Sequence, residues 1–159
     1  MHQPALCDHI AALRRYARAL QCDRVAAEDL VQECLARALS RGHLWREGSD
    51  LRAWLFTILH NIHVNDRRAA RTHAIADDRA MGVRIAPPAQ EARLELRDLE
   101  RALSRLPVEQ RQVLLLVAIE GMSYEEAAAA MGVPIGTIMS RVARGRDALR
   151  RQLTQNWVS

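Results

Sequence analysis

The stretch GVPIGTIMSRVARGRDALRR, residues 132–151, decides how the rest of the chain is read. A Gly-Val-Pro turn stands before a helix-forming run with five arginines, Arg141, Arg144, Arg146, Arg150 and Arg151, and one carboxylate, Asp147. Gly132 can take the left-handed conformation that ends a preceding helix, and Pro134 tolerates the first turn of a new one. Within the run, Ile135, Ile138, Val142 and Leu149 recur at helical steps and predict a buried stripe. Thr137, Ser140, Arg141, Arg144 and Ala148 fall together on another face, which holds no carboxylate. Upstream, Ser123 and Glu126 have the spacing of a capping box and open a short alanine-rich helix, Tyr124 to Met131. Ala128 is small enough to let two helices cross closely. Capping box, small residue, glycine turn and basic face in this order predict a helix-turn-helix whose second helix enters a DNA groove. Arginine can grip guanine bidentately, and Thr137 and Ser140 can meet phosphates or base edges. Arg146, Arg150 and Arg151 lie further round, where phosphate contact is expected. The competing reading is an amphipathic helix whose charged face is merely solvated.

The bulk of the chain fits an all-helical protein. It has 159 residues, 49% hydrophobic and 26% charged, which predicts a folded chain rather than a disordered one. Aromatic residues are only 4%, so the core must be aliphatic. Scarce glycine and abundant alanine favour helix. The formal net charge is +4, and all 23 Lys/Arg positions are arginine. That balance permits a polyanionic partner without demanding one. The three cysteines, Cys7, Cys22 and Cys34, form no C-x-x-C pair, so neither a disulfide framework nor a zinc site is indicated. Cys34 reads as a small core residue. No signal peptide or membrane-spanning run is recognisable, so a cytoplasmic protein without membrane insertion is expected.

Apolar periodicity divides the chain. Leu6, Ile10, Leu13, Ala17 and Leu20 mark a first helix. Leu30, Val31, Cys34, Leu35, Ala38 and Leu39 mark the inward face of a second, from about Ala26 to Ser40. A third begins near Asp50 and turns Leu51, Trp54, Leu55, Ile58, Leu59 and Ile62 inward, with Trp54 read as core. It then becomes polar and basic at Asn61, Asn65, Asp66, Arg67, Arg68 and Arg71. Residues 72–92 contain Pro87-Pro88 and lose the pattern. They read as a flexible linker with an extended reach of about 65 Å. Helical periodicity resumes at Leu94, Leu96, Leu99 and Leu103, is reset at Pro107, and continues in the apolar run Val113 to Ile119 before Gly121. Two small helical domains are therefore expected, residues 1–71 and 93–159, joined by the linker 72–92. Formal charge is +3 over residues 1–71 (11 Arg, 8 acids), −1 over 72–92 (2 Arg, 3 acids) and +2 over 93–159 (10 Arg, 8 acids).

Residues 103–151 resemble region four of the sigma-70 family, and the first half is similar to region two. The segment AAEDLVQECLARAL, residues 26–39, looks like the helix that grips the RNA polymerase clamp. The segment DLRAWLFTILHNIHVNDRRAAR, residues 50–71, looks like the helix that reads the minus-ten promoter element. Order, spacing and the short acidic linker resemble the extracytoplasmic-function (ECF) branch, which lacks further domains. The resemblance implies a non-enzymatic protein that gives RNA polymerase core its promoter specificity and needs no cofactor or metal. It implies that Asp29, Gln32, Glu33 and Arg37 face the polymerase. It implies that Asn61, Asn65, Asp66, Arg67, Arg68 and Arg71 approach the minus-ten element, and Thr137, Ser140, Arg141, Arg144 and Arg146 the minus-thirty-five element. It also implies an anti-sigma partner, and a dependence on near-ideal promoters because aromatic residues are few near 60–68. The chain departs from the family pattern at Met139, often basic in relatives, and at Ala143, often larger. A helix-turn-helix regulator acting without polymerase is the alternative; the clamp-like segment is the feature it would not use. His60 and His63 share a helical face, but no third metal ligand is evident.

Overall fold

The computed structural model describes residues 3–21, 23–73 and 93–157, and every regular element among them is helical. Seven α-helices follow in order: α1 (Gln3–Leu20), α2 (Arg24–Ser40), α3 (Leu51–His73), α4 (Arg93–Ser104), α5 (Val108–Leu114), α6 (Tyr124–Met131) and α7 (Ile135–Trp157). A single 3₁₀ turn, Gly42–Leu44, follows α2, and a wide π turn, Leu115–Ile119, prolongs α5. The expected linker overlaps α3 at Thr72 and His73, and its remainder, residues 74–92, lies outside the described residues, as does Cys22.

The helices begin and end where local chemistry requires. Asp23 caps α2 by accepting the Val25 N–H at 3.0 Å. Asp50 accepts the Ala53 N–H at 3.2 Å at the start of α3. The expected capping box is present: Ser123 Oγ accepts the Glu126 N–H at 3.1 Å, and the Glu126 carboxylate accepts the Ser123 N–H at 2.8 Å. Gly132 ends α6 at φ 66°, a left-handed conformation that strains any residue bearing a Cβ. Its N–H is donated to the Ala128 carbonyl, which also accepts from Val133 at 3.2 Å. The helix-turn-helix is thus closed by its own backbone.

In the first half, α1, α2 and α3 bury Leu13, Tyr16, Val31, Cys34, Leu55, Phe56 and Leu59 between them. Tyr16 meets Phe56 edge-on at 5.4 Å. In the second half, α5, α6 and α7 enclose Val113, Leu116, Ala127, Ile138 and Val142. Gly145 marks the tightest approach of α7 to α5; a Cβ there would lie 2.7 Å from Leu114 Cδ1. The halves do not stand apart. Helix α3 packs along α6, and the apolar core runs continuously from one half to the other.

Two residues expected on inward stripes lie outside. Leu39 is 54% exposed, because it falls on the outward side of α2, in register with the exposed Gln32 and Ala36 and one residue past the fully buried Ala38. Ile135 is 40% exposed, because it stands in the first turn of α7, before that helix meets α5. Ile135 departs because it stands at a helix end, and Leu39 because the apolar run of α2 is wider than its buried face.

Removing the Ser123 hydroxyl leaves one backbone donor of α6 without its cap. The Ser123→Ala variant should lose about 1 kcal/mol, a fall in melting temperature of roughly 2–4 °C for a chain of this size. Calorimetric melting checks this; an unchanged melting temperature would show that the cap contributes nothing.

Candidate nucleic-acid interface

Helix α7 carries the first candidate surface. Its inward row is Ile138, Val142 and Gly145, all buried against α5 and α6. The outward row contains Gly136, Met139, Ser140, Ala143 and Arg144, with Arg146 and Asp147 beyond. The structure therefore divides the expected DNA-contacting set. Ser140, Arg144 and Arg146 are exposed, whereas Thr137 and Arg141 are half-buried. Arg141 lies near enough to α3 for its charge to oppose protonation of His60.

The polar end of α3 forms the second surface. Asn61, Asn65 and Arg68 follow one another at helical steps, and all three are exposed. Asp66 and Arg71 are exposed beside them, while Arg67 is half-buried next to His63. These side chains remain open to solvent although the second half packs on the same helix. The α2 face is the third. Val25, Asp29, Gln32, Ala36 and Leu39 make one exposed row, with Glu33 exposed on its flank and ion-paired to the half-buried Arg37. Acidic and amide groups sit in the middle of this row, with apolar groups at both ends.

Charged and titratable groups also hold the halves together. The side chain of Glu120 is 1% exposed. Arg15 of α1 grips it with two hydrogen bonds, Nε at 2.9 Å and Nη2 at 2.8 Å, and Arg52 of α3 lies 3.7 Å away. The Arg52 guanidinium also lies over the Phe56 ring, 5.9 Å from its centre. Glu120 is not among the residues that local spacing singles out. Yet Glu120 stands seven residues after Val113 and four after Leu116, both buried, and so continues their inward row. A carboxylate on such a row requires a cation. No spacing rule could name Arg15, which is 105 residues away.

His60 and His63, on α3, are both buried. His63 Nδ1 is 3.3 Å from the Gln21 amide. Burial and the neighbouring Arg67, His60 and Arg111 push the His63 pKa down to about 4. Burial, then Arg141, lowers that of His60. Both rings are therefore neutral near pH 7. Among the described residues no three His, Cys, Asp or Glu side chains gather as metal ligands. The Cys34 thiol, buried and donating to the Leu55 carbonyl at 3.4 Å, is pushed up to about 12, chiefly by burial. That thiol stays protonated and unreactive.

Two predictions follow from these buried groups. Glu120→Ala should cost about 2 kcal/mol, less than a fully buried pair, because Arg15 can turn to water. Denaturant unfolding measures this, and no loss would mean that the pair is ornamental. For His63 the sign is set by its lowered folded pKa. As pH falls from about 6.5 to 4, the unfolded chain takes up a proton that the buried ring refuses, so stability declines across that window and is complete above it. The melting temperature of His63→Gln should therefore fall less between pH 7.5 and pH 5 than that of the unsubstituted chain; equal slopes would contradict the assignment.

Comparison with known proteins matches the two halves separately. A model described as the sigma2 domain of PhyR matches residues 6–60, and one described as sigma-70, region 4, matches residues 96–149. The chain is 43% identical over 141 residues to the ECF RNA polymerase sigma factor EcfG of Rhodopseudomonas palustris (strain TIE-1), spanning 88% of this chain and 78% of the relative. Among solved structures it is similar to the sigma factor RpoE of Bartonella quintana in complex with the anti-sigma factor NepR. That match has 39% identity and a TM-score of 0.79, and covers 96% of each chain. It is also similar to CnrH in complex with the cytosolic domain of CnrY, with 28% identity, a TM-score of 0.70, and 96% and 86% of the respective chains covered.

Proposed function

Because the chain belongs to the ECF class of RNA polymerase sigma factors, we propose that its three exposed faces divide the work of starting transcription. The α2 row, with Asp29, Gln32, Glu33 and Arg37, docks on the polymerase clamp. The polar end of α3 receives the minus-ten element, where Asn61, Asn65, Asp66, Arg67, Arg68 and Arg71 meet backbone and unpaired bases. Helix α7 enters the major groove at the minus-thirty-five element through Ser140 and Arg144, with Arg146 toward the phosphates. Thr137 and Arg141 join that contact once α6 and α7 leave α3. The protein contributes specificity and positioning rather than bond chemistry. It works in the cytoplasm with the polymerase; among the described residues no helix is long and apolar enough to cross a membrane.

The packing of α3 on α6 is the observation that carries the mechanism. The two promoter elements lie about 25 base pairs apart, roughly 85 Å along B-form DNA. A compact chain of 159 residues has a radius of gyration of about 15 Å. One packed unit cannot touch both elements, so polymerase core must part the halves. The packed arrangement then corresponds to the inactive form. Its similarity, along 96% of the chain, to a sigma factor solved with an anti-sigma factor supports that reading. An anti-sigma protein that holds the halves in this arrangement is the matching regulator.

Reconstituted transcription tests the assignment. The protein with bacterial core polymerase should yield sequence-specific run-off products from a promoter library. Arg144→Ala should reduce initiation about tenfold on the selected promoters, the worth of one bidentate base contact, with core binding intact. Tight duplex binding by the protein alone, without affinity for core, would instead make it a regulator independent of polymerase.

A further inference from the structure

We infer that Met139 is a specificity-determining residue that reads the C5-methyl group of a thymine in the minus-thirty-five element. The inference rests on the proposed entry of α7 into the major groove. Met139 is 53% exposed and Ile135, one turn earlier, is also exposed, so two large apolar side chains stand in water on the open side of α7. Neither contributes to the core row, which is complete with Ile138, Val142 and Gly145. Gly136 and Ala143 flank them, both exposed, and a Cβ built on Gly136 would meet nothing within 4 Å. The result is a shallow apolar strip on a helix whose other outward groups are a hydroxyl, guanidinium groups and, at Asp147, one carboxylate.

The surroundings identify what covers the strip. Arg146 stands two turns after Met139 on the same side, Arg144 lies beyond Ser140, and no carboxylate occurs between Ile135 and Arg146. An anionic surface is therefore the complementary partner, and the strip lies on the exposed side of the helix between Ser140 and Arg146. In the major groove of DNA, three base edges present only polar atoms toward a side chain. Thymine alone adds a methyl group, and apolar side chains recognise it. Methionine donates no hydrogen bond and is unbranched and adaptable, so its thioether end can settle on that methyl. A basic residue at the same place would instead select the acceptors of guanine. Met139 thus changes what the helix reads without weakening the arginine contacts beside it.

Removing one methyl from the DNA tests this directly. The holoenzyme, assembled with bacterial core polymerase, is first used to select its minus-thirty-five element. Each thymine of that element, on either strand, is then replaced singly by deoxyuridine, which lacks only the methyl, and initiation is measured. One thymine, or two adjacent ones, should lose about fourfold in the unsubstituted protein, as expected for one buried methyl-sized group. Met139→Ala should initiate equally on thymine and deoxyuridine there, and Ser140→Ala should keep the distinction. Met139→Lys should shift selection at that base pair toward guanine. Indifference to every replacement, a methyl effect that survives in Met139→Ala, or an element without thymine on either strand would overturn the inference while leaving groove entry intact. Failure to select any minus-thirty-five element would instead remove the groove-entry reading, and this inference with it.

Discussion

Glu120 is the group on which the arrangement of this molecule turns. Its carboxylate has left water almost completely, and such a group is tolerated only with cations in contact. Arg15 and Arg52 supply them from two helices of the other half. The pair therefore sets where α1 and α3 stand relative to the π turn that carries Glu120. The rest follows from that register. Helix α3 comes to lie along α6, His60 and His63 are enclosed, and Arg141, half-buried on the flank of α7, comes near His60.

Such a contact suits a junction that must open. Buried ion pairs add little net stability over apolar packing of the same volume, because their desolvation cancels most of the attraction. The neutral histidines of α3, buried near Arg141 and Arg111 of the other half, also regain hydration when the halves part. A junction of leucines alone would resist separation more strongly. Each half is small, and a helical unit of about 60 residues buries a modest share of its surface. The contact lends each half additional core while no partner is present. Polymerase then has to replace a moderate interface rather than break a rigid one.

Much of this was legible in the sequence because it is local. Capping box, glycine turn and apolar rows each follow from spacing within a few residues, and the helices stand where those signals place them. The basic end of α3 and the polar row of α2 were visible as departures from an apolar stripe. Two kinds of feature were not. Ile135 obeys the periodicity of its helix but lies before the neighbours that would cover it, and Leu39 falls beside the buried row of α2; helical period carries no information about the length of a neighbour or the width it covers. Glu120 and Arg15 meet only when α1 is laid against the π turn, and no local pattern encodes that contact. The same is true of Arg141, whose surroundings are set by a helix from the other half.

The most direct test of the closed reader is the distance between its halves. Fluorophores at Ala70, on the polar end of α3, and at Arg151, near the end of α7, report it by energy transfer. The account predicts a short distance in the free protein and an increase of tens of ångströms when polymerase core and promoter DNA are added, toward the roughly 85 Å between the two elements. A distance already long in the free protein, or one unchanged in a complex that initiates transcription, would contradict it.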